Sequence, residues 1–134
     1  IWVTSDHGMI NVEEKLVLGQ DNQLMANVTV VGGEPRARHI YLREGSEPET
    51  VAQWREYLGN RAQVFTRNEA ITAGLFGSGV TLDSNERMGD LIAIAQGGTI
   101  LIDPSRIPQE SSMVGHHGGL NAAETAIPLY SQVI

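Results

Sequence analysis

Thr4-Ser5-Asp6-His7-Gly8-Met9 and Gly115-His116-His117-Gly118-Gly119-Leu120 lie near opposite ends of this 134-residue chain. Each stretch places imidazole beside glycine-rich backbone, and the first adds an adjacent carboxylate. Imidazole nitrogens and carboxylate oxygens are ligands that a borderline cation such as Zn²⁺ accepts. The two stretches therefore favour a metal-dependent hydrolase, although three plausible ligands are fewer than that chemistry needs.

The first stretch follows directly on an apolar run, Ile1-Trp2-Val3, which predicts a buried strand that feeds a functional loop. Open α/β sheets bind ligands at the ends of such strands. Gly8 allows the backbone curvature that would turn both Asp6 and His7 toward one cation. The alternative is an Asp that caps a turn and a His that packs or faces solvent. Because a domain rarely begins inside its own central sheet, we expect the C-terminal part of a larger enzyme, with trimming by processing as the alternative.

The second stretch contains two adjacent histidines. Neighbouring residues in extended backbone face opposite ways, so His116 and His117 do not easily point at one metal. His117 precedes Gly118-Gly119 and has the freer backbone, which makes it the preferred ligand. His116 would then support the ligand or lie at the surface. A plain glycine-rich loop is the alternative interpretation of the whole stretch.

Other polar residues have simpler interpretations. Glu124 could be a ligand or a base, but its spacing from Asn121 predicts a helix cap. Asp90 precedes a strand and is typical of a turn, and His39 lies on an alternating strand as a surface or packing histidine. Three further charged residues could meet a phosphate or lie in an exposed turn: Glu34, Arg36 and Arg38.

Composition excludes several classes of protein. Apolar residues make up 41% and charged residues 19%, as in a soluble globular domain. The net charge of −7 and pI near 4.9 argue against a nucleic-acid polymer as partner. The sequence has no run of 18 apolar residues and no signal-peptide pattern, so no membrane-spanning segment is predicted. The absence of cysteine leaves His, Asp and Glu as the metal ligands. Compartment and oligomeric state do not follow from these features.

The pattern of elements predicts an α/β fold. Further strands are expected at residues 28–31, 38–43, 63–66, 91–95, 99–102 and 129–134. The pair Gly32-Gly33 predicts a turn, and Gly97-Gly98 predicts a hairpin between two of these strands. We assign residues 1–20 and 91–134 to one α/β core and residues 25–90 to an inserted α+β lobe, which together form a single incomplete catalytic domain.

Two helices are predicted inside this lobe. Ser46 and Glu49 form the pattern of a capping box, and the helix that follows ends at Gly59. Val51, Trp54 and Leu58 are expected to line its buried face. A second, shorter helix is expected to begin at Asn68, which would act as its N-cap.

The assembled motifs resemble the type I phosphodiesterase/nucleotide pyrophosphatase family, within the alkaline phosphatase superfamily. The resemblance rests on residues 4–9 and 115–120, followed by Glu124 and Ile127-Pro128-Leu129. Bacterial members are also similar at residues 33–41, 74–77 and 87–91. The resemblance implies an alkaline-phosphatase-like core that hydrolyses phosphodiester or phosphoanhydride bonds of small phosphoesters or nucleotides.

The resemblance also implies the site. Asp6 and His7 would bind one of two catalytic Zn²⁺ ions, and His117 would bind the other, with other divalent cations possible. His116 receives no ligand role. The family's phospho-threonine or phospho-serine nucleophile and its remaining ligands precede the first motif, so Thr4 and Ser5 are not the nucleophile. We therefore expect this chain to be inactive alone. The alternatives are a non-catalytic binding module and another phosphatase or phosphotransferase of the superfamily.

Overall fold

The computed structural model describes residues 1–133, in which five strands precede the first helix and strands and helices are mixed thereafter. Its strands are Trp2–Thr4 (β1), Ile10–Asn11 (β2), Glu14–Val17 (β3), Val28–Glu34 (β4), Ala37–Leu42 (β5), Ala62–Thr66 (β6), Leu91–Ala95 (β7), Thr99–Ile102 (β8), Gly115–His116 (β9) and Leu129–Ser131 (β10). Its α-helices are Glu47–Leu58 (α1), Arg67–Thr72 (α2), Leu82–Arg87 (α3), Ile107–Ser111 (α4) and Ala122–Thr125 (α5). No helix in this part of the chain has the length and apolar character needed to cross a bilayer. The mixture confirms the predicted α/β class.

A four-stranded antiparallel sheet in the order β4-β5-β7-β6 carries much of the core. Strand β7 is apolar at every position and buried throughout, as a continuous apolar run predicts. Strand β5 alternates instead, with Arg38 and Ile40 buried and His39 and Tyr41 only partly so. The predicted alternation of this strand is confirmed.

Helix α1 covers one face of this sheet. Val51, Trp54 and Leu58 are buried, which confirms the face predicted from their spacing. Trp54 is fully buried and donates its indole N–H to the carbonyl of Leu24 at 2.9 Å, so its only polar group is satisfied. The same apolar cluster includes residues of β3 and β8, and it therefore joins the sheet to the remaining strands.

The hairpin predicted at Gly97-Gly98 is wrong. Both edges of β7 are occupied, by β5 and β6, so β8 crosses to pair in parallel with β3. The turn at Gly97-Gly98 instead contacts the start of β3. The carbonyl of Gly98 accepts hydrogen bonds from the amides of Glu13 and Glu14. Strand β7, assigned from sequence to the core, shares a sheet with strands of the lobe. The division into core and inserted lobe stays a prediction.

Local turn and cap signals also mislead in the middle of the chain. The predicted turn at Gly32-Gly33 lies within β4, and the chain reverses at Pro35-Arg36 instead. Gly33 has φ +75°, and a Cβ there would lie 2.3 Å from the carbonyl oxygen of Ala37. Glycine at this position therefore permits the close approach of β4 and β5 rather than the turn itself.

The capping box predicted at Ser46 and Glu49 is wrong. The hydroxyl of Ser46 donates to the carbonyl of Arg43 at 2.6 Å and caps no helix amide. A complete capping box forms instead at Thr66 and Glu69, which begins α2. Asn68, predicted as the cap of that helix, therefore lies inside its first turn.

The two ends of the chain meet in short antiparallel pairs, β1 with β10 and β2 with β9. The strand predicted at Ile1-Trp2-Val3 is present from Trp2, but it is exposed rather than buried, with Trp2 75% accessible. Strand β1 pairs only with β10 among the described residues, and its apolar side chains are left uncovered. Strand β10 begins at the predicted residue, and Ile134, the end of the predicted strand, lies outside the described residues.

Candidate metal centre

The two histidine stretches lie side by side. The imidazole rings of His7 and His117 are stacked with centroids 3.5 Å apart and planes inclined by 13°. His7 lies in the loop between β1 and β2, and His117 directly follows β9. Ile10 of β2 pairs with His116 of β9. This pairing brings the loop that precedes β2, which contains His7, close to the loop that follows β9, which begins with His117. The strand pairing therefore places both predicted histidine ligands on one surface.

Asp6 contacts the adjacent residue, His7, and so lies at the same place as the two stacked rings. One carboxylate oxygen of Asp6 lies 3.6 Å from Nε2 of His7, and the other accepts the backbone amide of His7 at 3.0 Å. The side chain of Asp6 is 86% exposed and that of His7 is 36% exposed. The carboxylate of Asp6 is thus open to solvent, and His7 and His117 are partly exposed.

The ring of His7 has a defined orientation. Its Nδ1 lies 2.8 Å from the carbonyl oxygen of Gly8. A carbonyl can only accept, so a hydrogen bond here requires the proton on Nδ1 and leaves the lone pair of a neutral ring on Nε2. Nε2 is the nitrogen beside Asp6, which is the arrangement typical of a metal-ligating histidine with its other nitrogen anchored.

These donors fit Zn²⁺ in kind, since they supply imidazole nitrogen and carboxylate oxygen without sulfur. They do not enclose a cation by themselves. Within residues 1–133, no group of three His, Cys, Asp or Glu side chains is arranged to hold a metal ion. The family resemblance implies two ligands for one ion, Asp6 and His7, and a single ligand, His117, for the other.

His116 differs from His117 in its surroundings. It is buried, and its Nε2 lies 3.2 Å from the backbone carbonyl of Glu110 in α4. Its ring thus contacts the protein interior while the ring of His117 contacts His7. The structure thus gives the two adjacent histidines different surroundings, and the ligand role of His117 stays a prediction.

Glu124 is not the helix cap that its spacing predicted. Asn121 precedes α5 without a side-chain cap, and Glu124 is buried with 3% of its surface exposed. Its carboxylate accepts two hydrogen bonds from Arg36, at 3.0 Å from Nε and 2.7 Å from Nη2, and one from the amide of Gly119 at 2.8 Å. Burial raises the pKa of Glu124, but these hydrogen bonds and the Arg36 charge together lower it below its ordinary value.

The exposed turn predicted for Arg36 and Arg38 is also wrong, because both arginines are buried. Arg38 forms a buried ion pair with Glu110, and its Nε donates to the carbonyl of Leu101 at 2.8 Å. Neither guanidinium is therefore placed to meet a phosphate from solvent. Both ion pairs join residues that are distant in sequence, so no local pattern predicts them. The alternation of Arg36 and Arg38, at the start of the β5 arm of the hairpin, was the only local signal.

His39 and Asp90 have structural contacts. His39 packs near Phe76, with ring centroids 5.9 Å apart, and its Nδ1 accepts the amide of Gly89 at 3.1 Å. Burial lowers the pKa of His39 below its ordinary value. Asp90 lies in a bend and pairs with Arg67 at 2.7 Å. The packing role expected of His39 is confirmed.

Comparison with solved structures shows the fold. Murine ectonucleotide pyrophosphatase/phosphodiesterase 5 aligns with a TM-score of 0.70 and 19% identity, and an inactive variant of it in complex with AMP aligns with 0.69 and 19%. The human protein of the same name aligns with 0.66 and 21%. Each alignment covers 92% of this chain but only 31% of the other chain. The predicted alkaline-phosphatase-like core is confirmed.

Comparison of the sequence gives the family. A search of the curated proteins found no match. The family model for type I phosphodiesterase/nucleotide pyrophosphatase matches residues 1–120, a span that includes both histidine stretches. The chain belongs to the type I phosphodiesterase/nucleotide pyrophosphatase family.

Proposed function

We propose that this chain is part of a metal-dependent phosphodiesterase or nucleotide pyrophosphatase, to which it contributes Asp6, His7 and His117 as metal ligands. The observation that carries the proposal is the contact between the rings of His7 and His117. The pairing of β2 with β9 brings together two residues from opposite ends of the sequence, and both are imidazoles that remain partly exposed. Their proximity, with Asp6 beside His7, supports half of a composite metal site.

The proposed ions are two Zn²⁺, one bound by Asp6 and His7 and the other by His117. When bound, a pair of divalent cations neutralises charge on the attacking and leaving oxygens of an in-line phosphoryl displacement. The residues of this chain would hold the ions and orient the ligand side chains. The carbonyl of Gly8 fixes the ring of His7, and the exposed carboxylate of Asp6 supplies negative charge beside its Nε2.

The proposed substrates are small phosphodiesters or phosphoanhydrides, including nucleotides. Support comes from the family description and from the murine relative, which was solved in complex with AMP. The net charge of −7 favours a small substrate over a nucleic-acid polymer. The chain spans 31% of the length of those relatives, and we propose that the nucleophile and the remaining ligands lie outside these 134 residues.

Metal binding by the 134-residue protein tests the ligand assignment. Isothermal titration with Zn²⁺, together with anomalous scattering at the zinc edge from a soaked crystal, should show metal at Asp6 and His7 or at His117. His7→Ala and His117→Ala should each weaken binding. His39→Asn is the matched control, because it removes a histidine outside the site and keeps an acceptor for the amide of Gly89. Zinc that binds only elsewhere, or equally well to both alanine variants, would contradict the assignment.

Turnover tests the proposed incompleteness separately. The 134-residue protein with saturating Zn²⁺ should not hydrolyse a chromogenic nitrophenyl phosphodiester above background. Zinc-dependent hydrolysis that is lost in His117→Ala would show that the chain contains its own nucleophile, and this part of the proposal would then be wrong.

A further inference from the structure

Glu124 contacts both histidine loops, through different atoms. Its carboxylate oxygen Oε1 accepts the amide of Gly119 at 2.8 Å, two residues after His117. Its backbone carbonyl accepts the amide of Gly8 at 2.8 Å, one residue after His7. One residue of α5 is therefore bonded to the backbone of each loop that carries a predicted ligand.

Arg36 holds the carboxylate of Glu124 in place. The two side chains form a two-point ion pair, and Nη1 of Arg36 also donates to the carbonyl of Thr99 at 2.6 Å. Arg36 is fully buried. A carboxylate paired in this way cannot rotate without leaving a buried guanidinium uncompensated, which is strongly unfavourable. The contact between Glu124 and Gly119 is thus fixed by a residue at the tip of the β4–β5 hairpin.

The glycines of the two loops show how closely they approach α5 and the ion pair. A Cβ on Gly8 would lie 2.0 Å from the carbonyl oxygen of Ala123. A Cβ on Gly119 would lie 2.7 Å from Nη2 of Arg36 and 2.8 Å from Oε2 of Glu124. Both loops are pressed against the same short segment, and a side chain at either glycine would push a histidine loop away from it.

A second buried ion pair provides a comparison within the same protein. Arg38 and Glu110 are buried like Arg36 and Glu124, and they come from the same hairpin and a similarly short helix. The carboxylate of Glu110 accepts from Arg38 and from the amide of Asp103, and makes no hydrogen bond to residues 6–9 or 117–119. The backbone carbonyl of Glu110 contacts Nε2 of His116, and a Gln at this position keeps that carbonyl. Loss of the charge pair between Arg38 and Glu110 therefore measures its contribution to stability without removing a side-chain contact to the histidine loops.

We propose that Glu124, held by Arg36, is a positioning residue that sets the separation of His7 and His117, and with it the relative placement of the two sets of metal ligands. The metal part of this inference rests on the proposed function. The positioning of the two rings does not, because it is argued from the hydrogen bonds of Glu124 to the two loops and from the ring contact alone.

The test uses Glu124→Gln in the 134-residue protein, with Glu110→Gln as the matched control. In Glu124→Gln the amide can still accept from Gly119, but the charge of Arg36 is left unpaired. The ring-proton resonances of His7 and His117, measured in aromatic ¹H–¹³C spectra without metal, should shift toward unstacked values, while those of His39 stay unchanged. Zn²⁺ affinity should fall by roughly 10–100-fold, as for residues that orient a ligand.

The control and a rescue separate positioning from stability. Glu110→Gln should lower the unfolding temperature by a comparable amount, yet leave the His7 resonances and the Zn²⁺ affinity as in the wild type. The double variant Arg36→Met/Glu124→Gln removes the unpaired charge together with the guanidinium that fixes the side chain at position 124. It should therefore recover part of the lost stability, while the His7 and His117 resonances stay shifted; wild-type resonances in this variant would overturn the positioning role. This double variant also decides the question if Glu124→Gln does not fold.

The outcomes distinguish the two proposals. Unchanged His7 and His117 resonances in folded Glu124→Gln, or equal shifts in Glu110→Gln, would overturn the positioning role. A wild-type protein that binds no Zn²⁺ through His7 or His117 would contradict the proposed function, and the metal-free ring resonances would still test Glu124. Wild-type Zn²⁺ affinity in Glu124→Gln, with binding lost in His117→Ala, would overturn the inference alone.

Discussion

His7 and His117 stack ring on ring at 3.5 Å between centroids, although one follows the first strand and the other follows the ninth. Protons above the face of an aromatic ring are shielded by it. His117→Ala should therefore move the ring protons of His7 downfield in aromatic ¹H–¹³C spectra. His39→Asn should leave them in place. Identical His7 resonances in the wild type and in His117→Ala would contradict the stack.

Gly8→Ala should destabilise the protein by about 1–3 kcal/mol, the usual cost of forcing an extra group into a packed site. The reason is that its Cβ would lie 2.0 Å from the carbonyl oxygen of Ala123. Urea unfolding measures the change. Gly79→Ala is the matched control, since a Cβ there meets nothing within 4 Å. That control should be neutral or slightly stabilising, and an equal loss in both variants would argue against the close approach.

Thr66→Ala should cost about 1 kcal/mol of unfolding free energy, because it removes the side-chain acceptor that begins α2. Ser46→Ala should cost clearly less, since the hydroxyl of Ser46 caps no helix amide. Chemical denaturation of the two variants in parallel compares them. A larger loss for Ser46→Ala would favour the cap assignment that the sequence pattern predicted.

Glu110→Gln should destabilise the protein by about 3–5 kcal/mol, the usual cost of removing one member of a buried ion pair. Arg38 would be left buried without its partner. Asp83→Asn removes a partner of Arg87 from an exposed pair and should change stability by less than about 1 kcal/mol. Unfolding curves in guanidinium chloride or urea measure both. A small loss for Glu110→Gln would show that water reaches this pair.

Stability should depend on pH through Glu124. Its pKa in the folded protein lies below the ordinary value of 4.5, so the unfolded chain takes up this proton first as the pH falls. The contribution is therefore complete above about pH 4.5 and is lost as the pH falls through the folded pKa. Unfolding free energies measured against pH should decline less steeply on the acid side in Arg36→Met/Glu124→Gln than in the wild type. The exposed Glu56→Gln should keep the wild-type slope, and equal slopes in all three proteins would contradict the lowered pKa.

Features that depend on local spacing could be predicted from the sequence. Val51, Trp54 and Leu58 share a helical face because the 3.6-residue period decides which side chains point inward. The uniformly apolar β7 could only be buried. The site residues Asp6, His7 and His117 were chosen from motifs, and the structure brings the two histidines together.

Features that depend on a distant partner could not be predicted. The Gly97-Gly98 turn predicts a hairpin, but the free edges available to β7 and β8 decide their pairing. The local sequence around Arg36 is compatible with an exposed turn, and only the fold shows that Glu124 pairs with this arginine in the interior. Charged side chains are buried only when the fold supplies their counter-charge, and no local pattern shows where that counter-charge comes from.

The pairing of β1 with β10 and of β2 with β9 has a consequence for the order of folding. These contacts join the most distant parts of the chain, and closing such large loops is entropically costly. We therefore expect them to form after the local helices and hairpins. The two histidines meet only when that closure is complete. We therefore expect the predicted ligands to come together late in folding and to separate early in any partial opening, while the central β7 remains protected.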